Sequence, residues 1–433
     1  MASEVTRRGF VKAGATAAGI AATLAPSTVL GANEKIRCAF IGVANRGGQL
    51  IQAALESKER IEIVAVCDVD DLALARWKET LPEAKQYKDY REVIARADVD
   101  AVFIASPDHW HPIMCIEACK AGKDVYVEKP LSATIHEGRR MIEVARETGR
   151  IVQVGLHRRS AQIFHDLHDL VAADYLGHVT VAHAYRITNM WPSGIGKSQH
   201  EDPPATLDWD MWLGPRPERP YQDNIAPYKF RWWQLYSSQM GNWGVHYFDL
   251  IRWLVDEEAP VSVSCHGGRF AIDDDRTIPD TAIAVFEFAS GRILEFGQYE
   301  ASGYRMLPSE IDLRGTKGIC YASGNKFQII PETDGQFQKG AERAEAMEVK
   351  AQGANSSLTA QHIANFLDCM ASRATPNCDV EEGHKSTVFC HLANIALATK
   401  SRLEWDAEKE EITGNKEAND LLHYKYREPW TLG

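Results

Sequence analysis

The sequence lacks three features that would each indicate a particular class of protein. Its 433 residues carry a formal charge of −12 and the basic residues are scattered, so no basic surface is available to neutralise nucleic-acid phosphates. No apolar run reaches the roughly 18–20 residues that a membrane-spanning helix needs. No Cys-x-x-Cys or His-x-x-x-His pair occurs at metal-ligand spacing. We therefore expect no nucleic-acid partner, no membrane span in the mature protein and no metal.

Cysteine is present at nine positions, but its placement does not indicate disulfides. Cys38 in IRCAFIGV and Cys67 in IVAVCDVD lie inside apolar strand patterns. Cys115 and Cys119 share one face of a predicted helix, with no further ligand at zinc spacing. Because thiols in apolar segments are typically buried, we expect free, buried cysteines.

The first 31 residues resemble a twin-arginine export signal. Arg7 and Arg8 precede Phe10 and Lys12, and a weakly apolar stretch of Ala, Gly and Thr follows, with small residues near Gly31 where cleavage can occur. The alternative is an amphipathic N-terminal helix, which the uncharged stretch does not suit. The resemblance implies that the protein reaches the periplasm already folded, often with its cofactor bound.

Between Lys35 and His157, continuous apolar runs alternate with segments of helical period. The predicted strands are KIRCAFIGV, IEIVAVCDVD, DVDAVFIAS, DVYVEKP and RIVQVGLH. Strands that are apolar throughout indicate a parallel sheet covered on both faces. We therefore predict an α/β domain of the Rossmann type, with a doubly wound parallel sheet, at residues 35–157.

After His157 the strands alternate apolar with polar residues, as in HVTVAHAYRI and DTAIAVFEFAS. This alternation predicts an α+β domain at residues 158–433 with a large, mainly antiparallel open sheet. An open apolar face favours a homo-oligomer, either a dimer or a tetramer. The domain also contains a Pro- and Trp-rich insertion at residues 188–231 and two C-terminal helical stretches that can pack back on the first domain.

The first strand-to-helix turn, AFIGVANRGGQL, contains part of a dinucleotide-binding fingerprint. In Gly-x-Gly-x-x-Gly, the glycines permit a tight turn and bring a pyrophosphate close to a helix N-terminus. Here alanine replaces the middle glycine, which weakens the pattern when it is taken alone. The turn residues that we assign to the cofactor are Gly42, Ala44, Asn45, Arg46 and Gly47.

Asp68 ends the second predicted strand, where an acidic residue can accept both hydroxyls of the adenosine ribose. Its charge would repel a 2′-phosphate, so the sequence favours NAD over NADP as the cofactor. The alternative is that Asp68 only caps the next helix.

The segment FIASPDHWHPIMCIEACKAGKDVYVEKPLS is similar to the hallmark region of the Gfo/Idh/MocA oxidoreductases, the family of glucose–fructose oxidoreductase and inositol dehydrogenase. The shared pattern is Ser-Pro after the third strand, a histidine a few residues on, Ala-Gly-Lys and Glu-Lys-Pro. The resemblance implies a tightly bound nicotinamide dinucleotide in the first domain and a small polyol or sugar between the domains. It also implies that Lys129 contacts the substrate and helps to move the hydroxyl proton. The further positions assigned to the cofactor are Ser106, Pro107, His111, Glu128, Lys129 itself and His157.

In the same family, an Asp and a His four residues apart on one helix point at the substrate. His246 matches the histidine and is predicted to be the general base, since an imidazole accepts a proton readily near neutral pH. Asn242 occupies the Asp position; an amide can orient a hydroxyl or the lysine but carries no charge. Asp249 either orients the His246 ring or caps a neighbouring strand.

His109 and His111 flank a tryptophan and precede a proline, where polar side chains commonly cap a helix. A metal site would need further ligands that the sequence does not offer at a recognised spacing, so we predict none.

Seven of the eleven tryptophans fall between Trp191 and Trp253. These rings either stack on the apolar face of a sugar or hold the insertion against the sheet, and the sequence leaves both possibilities open. The residues predicted to contact substrate are Arg158, Tyr185, Trp233 and Asp249.

These patterns predict an exported NAD-dependent oxidoreductase that transfers hydride between nicotinamide and a hydroxyl-bearing carbon of a sugar, sugar acid or glycoside. One alternative is a redox-neutral glycoside hydrolase or lyase that uses NAD to form a transient keto-sugar. The other is a non-catalytic family member that binds NAD and a ligand, which the asparagine at position 242 keeps open.

Overall fold

The computed structural model describes residues 35–304, 309–351 and 357–433. The export signal predicted at residues 1–31 lies outside the described residues. Within them, no helix is both long enough and apolar enough to cross a membrane.

The first domain is built on a six-stranded parallel sheet in the order β3-β2-β1-β4-β5-β6. Its strands are β1 (Ile36–Ile41), β2 (Ile61–Cys67), β3 (Lys85–Tyr87), β4 (Ala101–Ile104), β5 (Asp124–Val127) and β6 (Val152–Val154). Its helices are α1 (Arg46–Leu55), α2 (Asp71–Ala75), α3 (Tyr90–Ile94), α4 (His111–Lys120) and α5 (Ile135–Thr148). This is the strand order of a dinucleotide-binding Rossmann domain, so the predicted fold class is confirmed.

The second domain contains a ten-stranded sheet in the order β14-β13-β12-β11-β7-β10-β9-β8-β15-β16. Its strands are β7 (Val179–Ile187), β8 (Ser262–Gly268), β9 (Thr281–Glu287), β10 (Ile293–Tyr299), β11 (Ile311–Gly315), β12 (Gly318–Ser323), β13 (Lys326–Pro331), β14 (Met347–Lys350), β15 (Leu403–Asp406) and β16 (Glu411–Ile412). Its helices are α6 (Gln162–Ala172), α7 (Trp209–Leu213), α8 (Val245–Leu254), α9 (Leu358–Ser372), α10 (Val380–Thr399) and α11 (Lys416–Asn419). Among the described strands of this sheet, only β7 and β10 pair in parallel, so the prediction of a mainly antiparallel sheet is also confirmed.

One face of the large sheet is buried and the other is open. On the covered face, Ala184, Phe286 and Phe296 are inaccessible and pack beneath α8 and α10. On the open face, Ile283 and Ile293 remain 38% and 37% exposed. Period-two alternation along the strands produces this difference, because successive side chains point to opposite faces.

The C-terminal helices join the two domains. On α9, Phe366 meets Phe103 of β4 edge-on, with 5.6 Å between ring centroids, and closes one face of the Rossmann sheet. Helix α10 packs against α5 of the first domain and α8 of the second. One continuous hydrophobic core therefore spans both domains and fixes their positions on either side of the crevice.

All nine cysteines are free and buried, as the apolar context predicts. Burial raises the pKa of the Cys38 and Cys67 thiols well above the ordinary value, which keeps them protonated and unreactive.

Candidate active site

A cavity lies at the carboxyl edge of β1, β2 and β4, where Rossmann domains bind dinucleotides. Its lining includes seven of the positions predicted to bind the cofactor: Gly42, Ala44, Asn45, Arg46, Asp68, Ser106 and Pro107. The other five predicted cofactor positions do not line it.

Two glycines allow the turn between β1 and α1 to close. Gly42 has φ of +80°, and a Cβ there would lie 2.6 Å from the backbone nitrogen of Ser106. A Cβ on Gly47 would lie 1.7 Å from the carbonyl oxygen of Gly42. Gly47 therefore acts by permitting the turn and does not line the cavity. This close-packed cradle without a Cβ fits a dinucleotide pyrophosphate.

Asp68 follows β2 and lies at the far end of the cavity. Its carboxylate accepts hydrogen bonds from the backbone N–H groups of Val43, at 2.8 Å, and Asp70, at 3.1 Å. Burial raises its pKa to about 6, and these backbone donors oppose the shift. A carboxylate oriented in this way can still accept ribose hydroxyls through its remaining lone pairs, so the residues present fit NAD.

Glu128 and Arg46 form an ion pair with 2.7 Å between Oε1 and Nε. The carboxylate is tightly enclosed, since a Cβ on Gly155 would lie 2.8 Å from Oε1. Burial raises the pKa of Glu128, but the charges of Arg46 and Lys129 and the hydrogen bonds from both residues together hold it below its ordinary value. Glu128 does not line the cavity but positions Arg46, which does, and its contact with the cofactor stays a prediction.

Lys129, just beyond β5, contacts the loop that leads into α8. Its Nζ donates to the carbonyl oxygen of Asn242 at 2.9 Å and lies 3.3 Å from the Asn242 side-chain Oδ1. Residues Met240–Gly244 form a turn of π-helix before α8 begins. Asn242 and His246 therefore do not share the face of one regular α-helix, as the sequence suggested. Burial lowers the pKa of Lys129 to about 8, although the Glu128 carboxylate opposes the shift.

His246 lies in the first turn of α8, beside His157 from the end of the Rossmann sheet. Their ring centroids are 5.2 Å apart, and the Nδ1 atom of each is buried without a hydrogen-bond partner among the described residues. Burial lowers the pKa of both rings well below the ordinary value, and the Arg158 guanidinium adds to the shift. His246 is therefore a neutral imidazole with a free ring nitrogen. His157 was assigned to the cofactor but lies next to His246.

Arg158 is held near these histidines by an ion pair. Its Nη2 lies 2.8 Å from Oε2 of Glu310, and its guanidinium lies 5.5 Å from the ring centroid of Tyr247. Its Nε is buried, with no hydrogen-bond partner in the part of the chain that the structure describes. Of the four residues predicted to contact substrate, Arg158 is the one that the fold brings to the predicted catalytic side chains.

The other three predicted substrate residues lie away from this group. Asp249 is buried and accepts from Arg159 Nε at 2.8 Å and from Ser386 Oγ at 2.8 Å, so it neither orients His246 nor caps a strand. Trp233 is 6% exposed and donates from Nε1 to the carbonyl of Asn224 inside the insertion.

Tyr185 was predicted to contact substrate, and its position in β7 places it on the open face of the second sheet. Ala182 and Ala184 of β7 are buried against the helices, so Tyr185 points to the open face of the sheet. There it stacks on Tyr299, and burial raises its pKa to about 12.

The two histidines beside Trp110 have structural partners. His111 is buried, with its ring nitrogens 2.8 Å from the carbonyl of Pro130 and 2.9 Å from that of Ser106, so it ties two loops together and does not line the cofactor cavity. The Nε2 of His109 lies 3.0 Å from the carbonyl of Trp212. Among residues 35–304, 309–351 and 357–433, no group of three or more potential metal ligands is present.

The insertion covers the dinucleotide cavity, which the sequence did not indicate. Six of its residues line that cavity: Leu207, Met211, Trp212, Pro227, Phe230 and Arg231. Leu207 forms a β-bridge with Asp70 of the Rossmann domain. The clustered tryptophans could have drawn attention to this segment, but which rings face the cofactor depends on packing. Trp212 also belongs to an aromatic cluster inside the insertion, where its ring centroid lies 4.8 Å from that of Trp209.

Asp108 and Arg231 were also missed as members of this site. Asp108 is 7% exposed and accepts a hydrogen bond of 2.5 Å from Ser237 Oγ. Burial lowers the pKa of the Arg231 guanidinium, and Asp108 opposes that shift. Both charges act on Lys129, where Arg231 lowers and Asp108 raises the pKa.

The fold and cavity define a class: two-domain NAD-binding oxidoreductases in which a second domain closes over the Rossmann crevice. More specifically, the chain belongs to the Gfo/Idh/MocA oxidoreductase family. The family's NAD-binding Rossmann-fold model matches residues 36–156, and its C-terminal alpha/beta domain model matches residues 164–281 and 324–432. The resemblance in the Glu-Lys-Pro region is thereby confirmed.

Two curated relatives illustrate the range of the family. The chain is 27% identical over 308 residues to myo-inositol 2-dehydrogenase of Thermotoga maritima. This match covers 70% of this chain and 80% of that protein. It is 31% identical over 173 residues to an alpha-N-acetylgalactosaminidase of Shewanella oneidensis, but this match covers only 33% of this chain and 38% of the relative.

Solved structures share the fold at lower identity. The WlbA dehydrogenase of Bordetella pertussis, in complex with NADH and UDP-GlcNAcA, superposes with a TM-score of 0.64 at 19% identity, covering 86% of this chain and 99% of that one. Levoglucosan dehydrogenase in complex with NADH gives a TM-score of 0.67 at 15% identity with the same coverage. These likenesses establish the architecture.

Proposed function

We propose that this protein is an NAD-dependent oxidoreductase that transfers hydride between nicotinamide and a hydroxyl-bearing carbon of a sugar, sugar acid or glycoside. The observation that carries the proposal is the pairing of the Lys129 ammonium with two oxygens of Asn242, next to the neutral His246 ring. The names of relatives, myo-inositol 2-dehydrogenase and levoglucosan dehydrogenase, support a cyclic polyol or sugar as substrate.

In this proposal, bound NAD supplies the hydride acceptor and the chain's own residues handle the proton. His246 accepts the proton of the reacting hydroxyl through its free ring nitrogen. Lys129 contacts the same hydroxyl, and the two oxygens of Asn242 fix the direction of its Nζ. Arg158 and Arg231 add positive charge, which would suit a sugar acid.

The test is turnover by the purified protein with NAD and a panel of sugars, uronates and inositols. We expect Lys129→Met and His246→Ala each to lower kcat by about 100-fold or more. Lys120→Met and His178→Ala, which alter exposed residues of the same types, are matched controls and should keep full activity. Full turnover by either active-site variant would contradict the proposed roles.

A second function is favoured by the enclosure of the cofactor cavity. Six insertion residues line it, which supports an NAD molecule that stays bound through many turnovers. A retained cofactor suits a redox-neutral cycle, in which oxidation of one carbon acidifies the neighbouring C–H, the glycosidic group leaves by elimination with that proton, and water adds to the double bond that forms. The ketone is then reduced again by the same cofactor. The partial match to an alpha-N-acetylgalactosaminidase supports this route.

Solvent deuterium separates the two functions. Aryl glycosides incubated in D₂O should release aglycone without net reduction of NAD, and should take up deuterium next to the oxidised carbon, if the cycle is redox-neutral. Net NADH accumulation with intact glycoside would support the dehydrogenase instead. Tight NAD binding with neither reaction across the panel would leave the non-catalytic family member.

Export to the periplasm and assembly into a homo-oligomer are part of the proposal. Arg7 and Arg8 carry the first, and the open face of the ten-stranded sheet supports the second. An Arg7→Lys, Arg8→Lys variant should accumulate in the cytoplasm with its first 31 residues uncleaved, which mass spectrometry of fractionated cells detects.

A further inference from the structure

A second cavity lies on the far side of the loop that leads into α8. It encloses about 670 Å³ between the turn after Lys129, the loop at residues 234–238, α10 and the C-terminal segment. A smaller cavity adjoins it and shares part of its wall. Of the described residues, none lines both this cavity and the dinucleotide cavity. Its volume is in the range that holds a small organic ligand.

Arg216 lines both the larger and the smaller of these cavities. The residue is 7% exposed, and no described residue forms a hydrogen bond with its buried Nε. Its guanidinium lies 3.6 Å from the ring centroid of Tyr424, and within the described part of the chain no carboxylate forms an ion pair with it. Buried charges are normally paired, because an isolated one loses its hydration without compensation.

Glu137, whose pKa is raised by burial and lowered by the Arg216 charge, is already hydrogen-bonded to other donors. The carboxylate of Glu137 accepts from the Tyr426 hydroxyl at 2.6 Å and from the backbone nitrogen of Ala133 at 3.0 Å. In the smaller cavity, the carboxylate of Asp108 accepts from Ser237. The Arg216 guanidinium therefore presents hydrogen-bond donors to the cavity that these carboxylates do not use.

The remaining polar groups in the wall suit a negatively charged ligand. Arg269 adds a second guanidinium near the opening, and no Asp or Glu is among the described residues that line the larger cavity. His391 and His423 also line it, and burial lowers the pKa of both to about 4, so each is a neutral ring that carries no charge opposing an anion. Asn394 and other amides and hydroxyls supply partners for ligand hydroxyls.

We propose that this cavity is a second binding site, for a sugar-sized molecule that carries a carboxylate or a phosphate group, with the oxyanion held by Arg216. A guanidinium binds either oxyanion through two parallel hydrogen bonds. The occupant would touch Ser238, which precedes Asn242 in the chain, and Ala133, which follows Lys129. The site involves none of the residues assigned to hydride transfer, so it stands apart from the proposed function.

The test is isothermal titration of the purified, NAD-containing protein with glucuronate, glucose 6-phosphate and glucose. We expect one or both charged sugars to bind at least about tenfold more tightly than glucose, and the better of the two identifies the acidic group. Arg216→Met should weaken that binding by about tenfold or more. Arg402→Met, which replaces an exposed arginine just before β15, should leave the binding unchanged.

Two outcomes would overturn the proposal. One is equal binding of glucose and the charged sugars by the unaltered protein, a measurement that needs no variant. The other is charged-sugar binding that survives Arg216→Met, which would locate the ligand in the hydride-transfer site instead. If the methionine variant does not fold, Arg216→Lys keeps the charge but loses the paired donors, and it should still weaken binding several-fold.

Discussion

Lys129 is surrounded by charges of both signs, and its pKa of about 8 results from their balance. Burial lowers the pKa most, Glu128 and Asp108 oppose it, and Arg231 lowers it further. The positive charge of Lys129 in turn lowers the pKa of His246. While the lysine is protonated, the imidazole is therefore a weaker base than it would be beside a neutral amine.

The rate of sugar oxidation should consequently rise through about pH 8. Above that pH, Lys129 loses its charge and His246 becomes a better proton acceptor. His246 is already neutral near pH 6.5, because burial holds its pKa well below that value, so no inflection should occur there. Measuring kcat from about pH 6 to 9 tests this. An inflection near the ordinary pKa of histidine would contradict it, and Lys129→Met should abolish the rise.

Asn242→Asp should move that rise to higher pH. The new carboxylate would replace an amide whose Oδ1 lies 3.3 Å from Lys129 Nζ, and an opposite charge at that distance stabilises the ammonium. We expect the midpoint to increase by about 1–3 pH units. Asn365→Asp, on α9, is the matched control and should leave the midpoint unchanged. An unchanged midpoint in Asn242→Asp would show that the side chain does not face the lysine during turnover.

At the scale of elements, α7 and the C-terminal segment act together over the cofactor cavity. Helix α7 supplies Met211 and Trp212 to the lining. Arg427 holds this helix, donating to the Asp210 carboxylate at 2.5 Å, to the Asp210 carbonyl at 3.1 Å and to the Gly214 carbonyl at 2.9 Å. The end of the chain thus restrains a helix that lies against the site proposed to retain NAD.

Arg427→Ala should therefore speed the release of NAD. Losing hydrogen bonds to a charged donor costs about 1.5–3 kcal/mol. If this loss destabilises only the NAD-bound protein with α7 in place, NAD dissociates roughly ten- to hundredfold faster. Stopped-flow displacement of bound NADH, followed by its fluorescence, measures the rate. Arg402→Ala, which removes an exposed ion pair with Glu287, should leave that rate unchanged. An unaltered rate in Arg427→Ala would mean that α7 does not control release.

For the molecule as a whole, one face of the ten-stranded sheet carries exposed apolar side chains in the described chain. Ile283 and Ile293 project from it, and Tyr185 and Tyr299 stack there. Exposed apolar side chains on a broad sheet favour association with a second copy of the chain. This is the physical basis of the proposed homo-oligomer.

The double substitution Ile283→Glu, Ile293→Glu should convert the oligomer to monomers. Two buried carboxylates without partners would cost several kcal/mol at the interface. Light scattering coupled to size-exclusion chromatography reports the mass. Leu72→Glu, at a 59% exposed position of the first domain, should leave the mass unchanged. A double variant that keeps the mass of the unaltered protein would exclude this face as the interface.

Much of the architecture could be predicted because it depends on local pattern. Apolar runs such as VFI in β4 are buried throughout, and alternating runs such as TAIAVFE in β9 are half-buried. The three-residue strand β3 was missed because it is a largely exposed edge strand with no apolar pattern. The site was harder to predict: Asp249 and Trp233 have chemically suitable side chains, but their partners, Arg159 and Asn224, are set by packing.

The sequence by itself determined the parallel Rossmann sheet, the open second sheet, the buried thiols and the family, because periodicity and short motifs are local properties of a chain. Only the tertiary structure decided which polar side chains converge. It brought Lys129 to Asn242 across more than a hundred positions, turned Tyr185 to the opposite face and laid the insertion over the dinucleotide cavity. These outcomes depend on how elements distant in sequence pack, and on which face of a strand or helix becomes buried when they do.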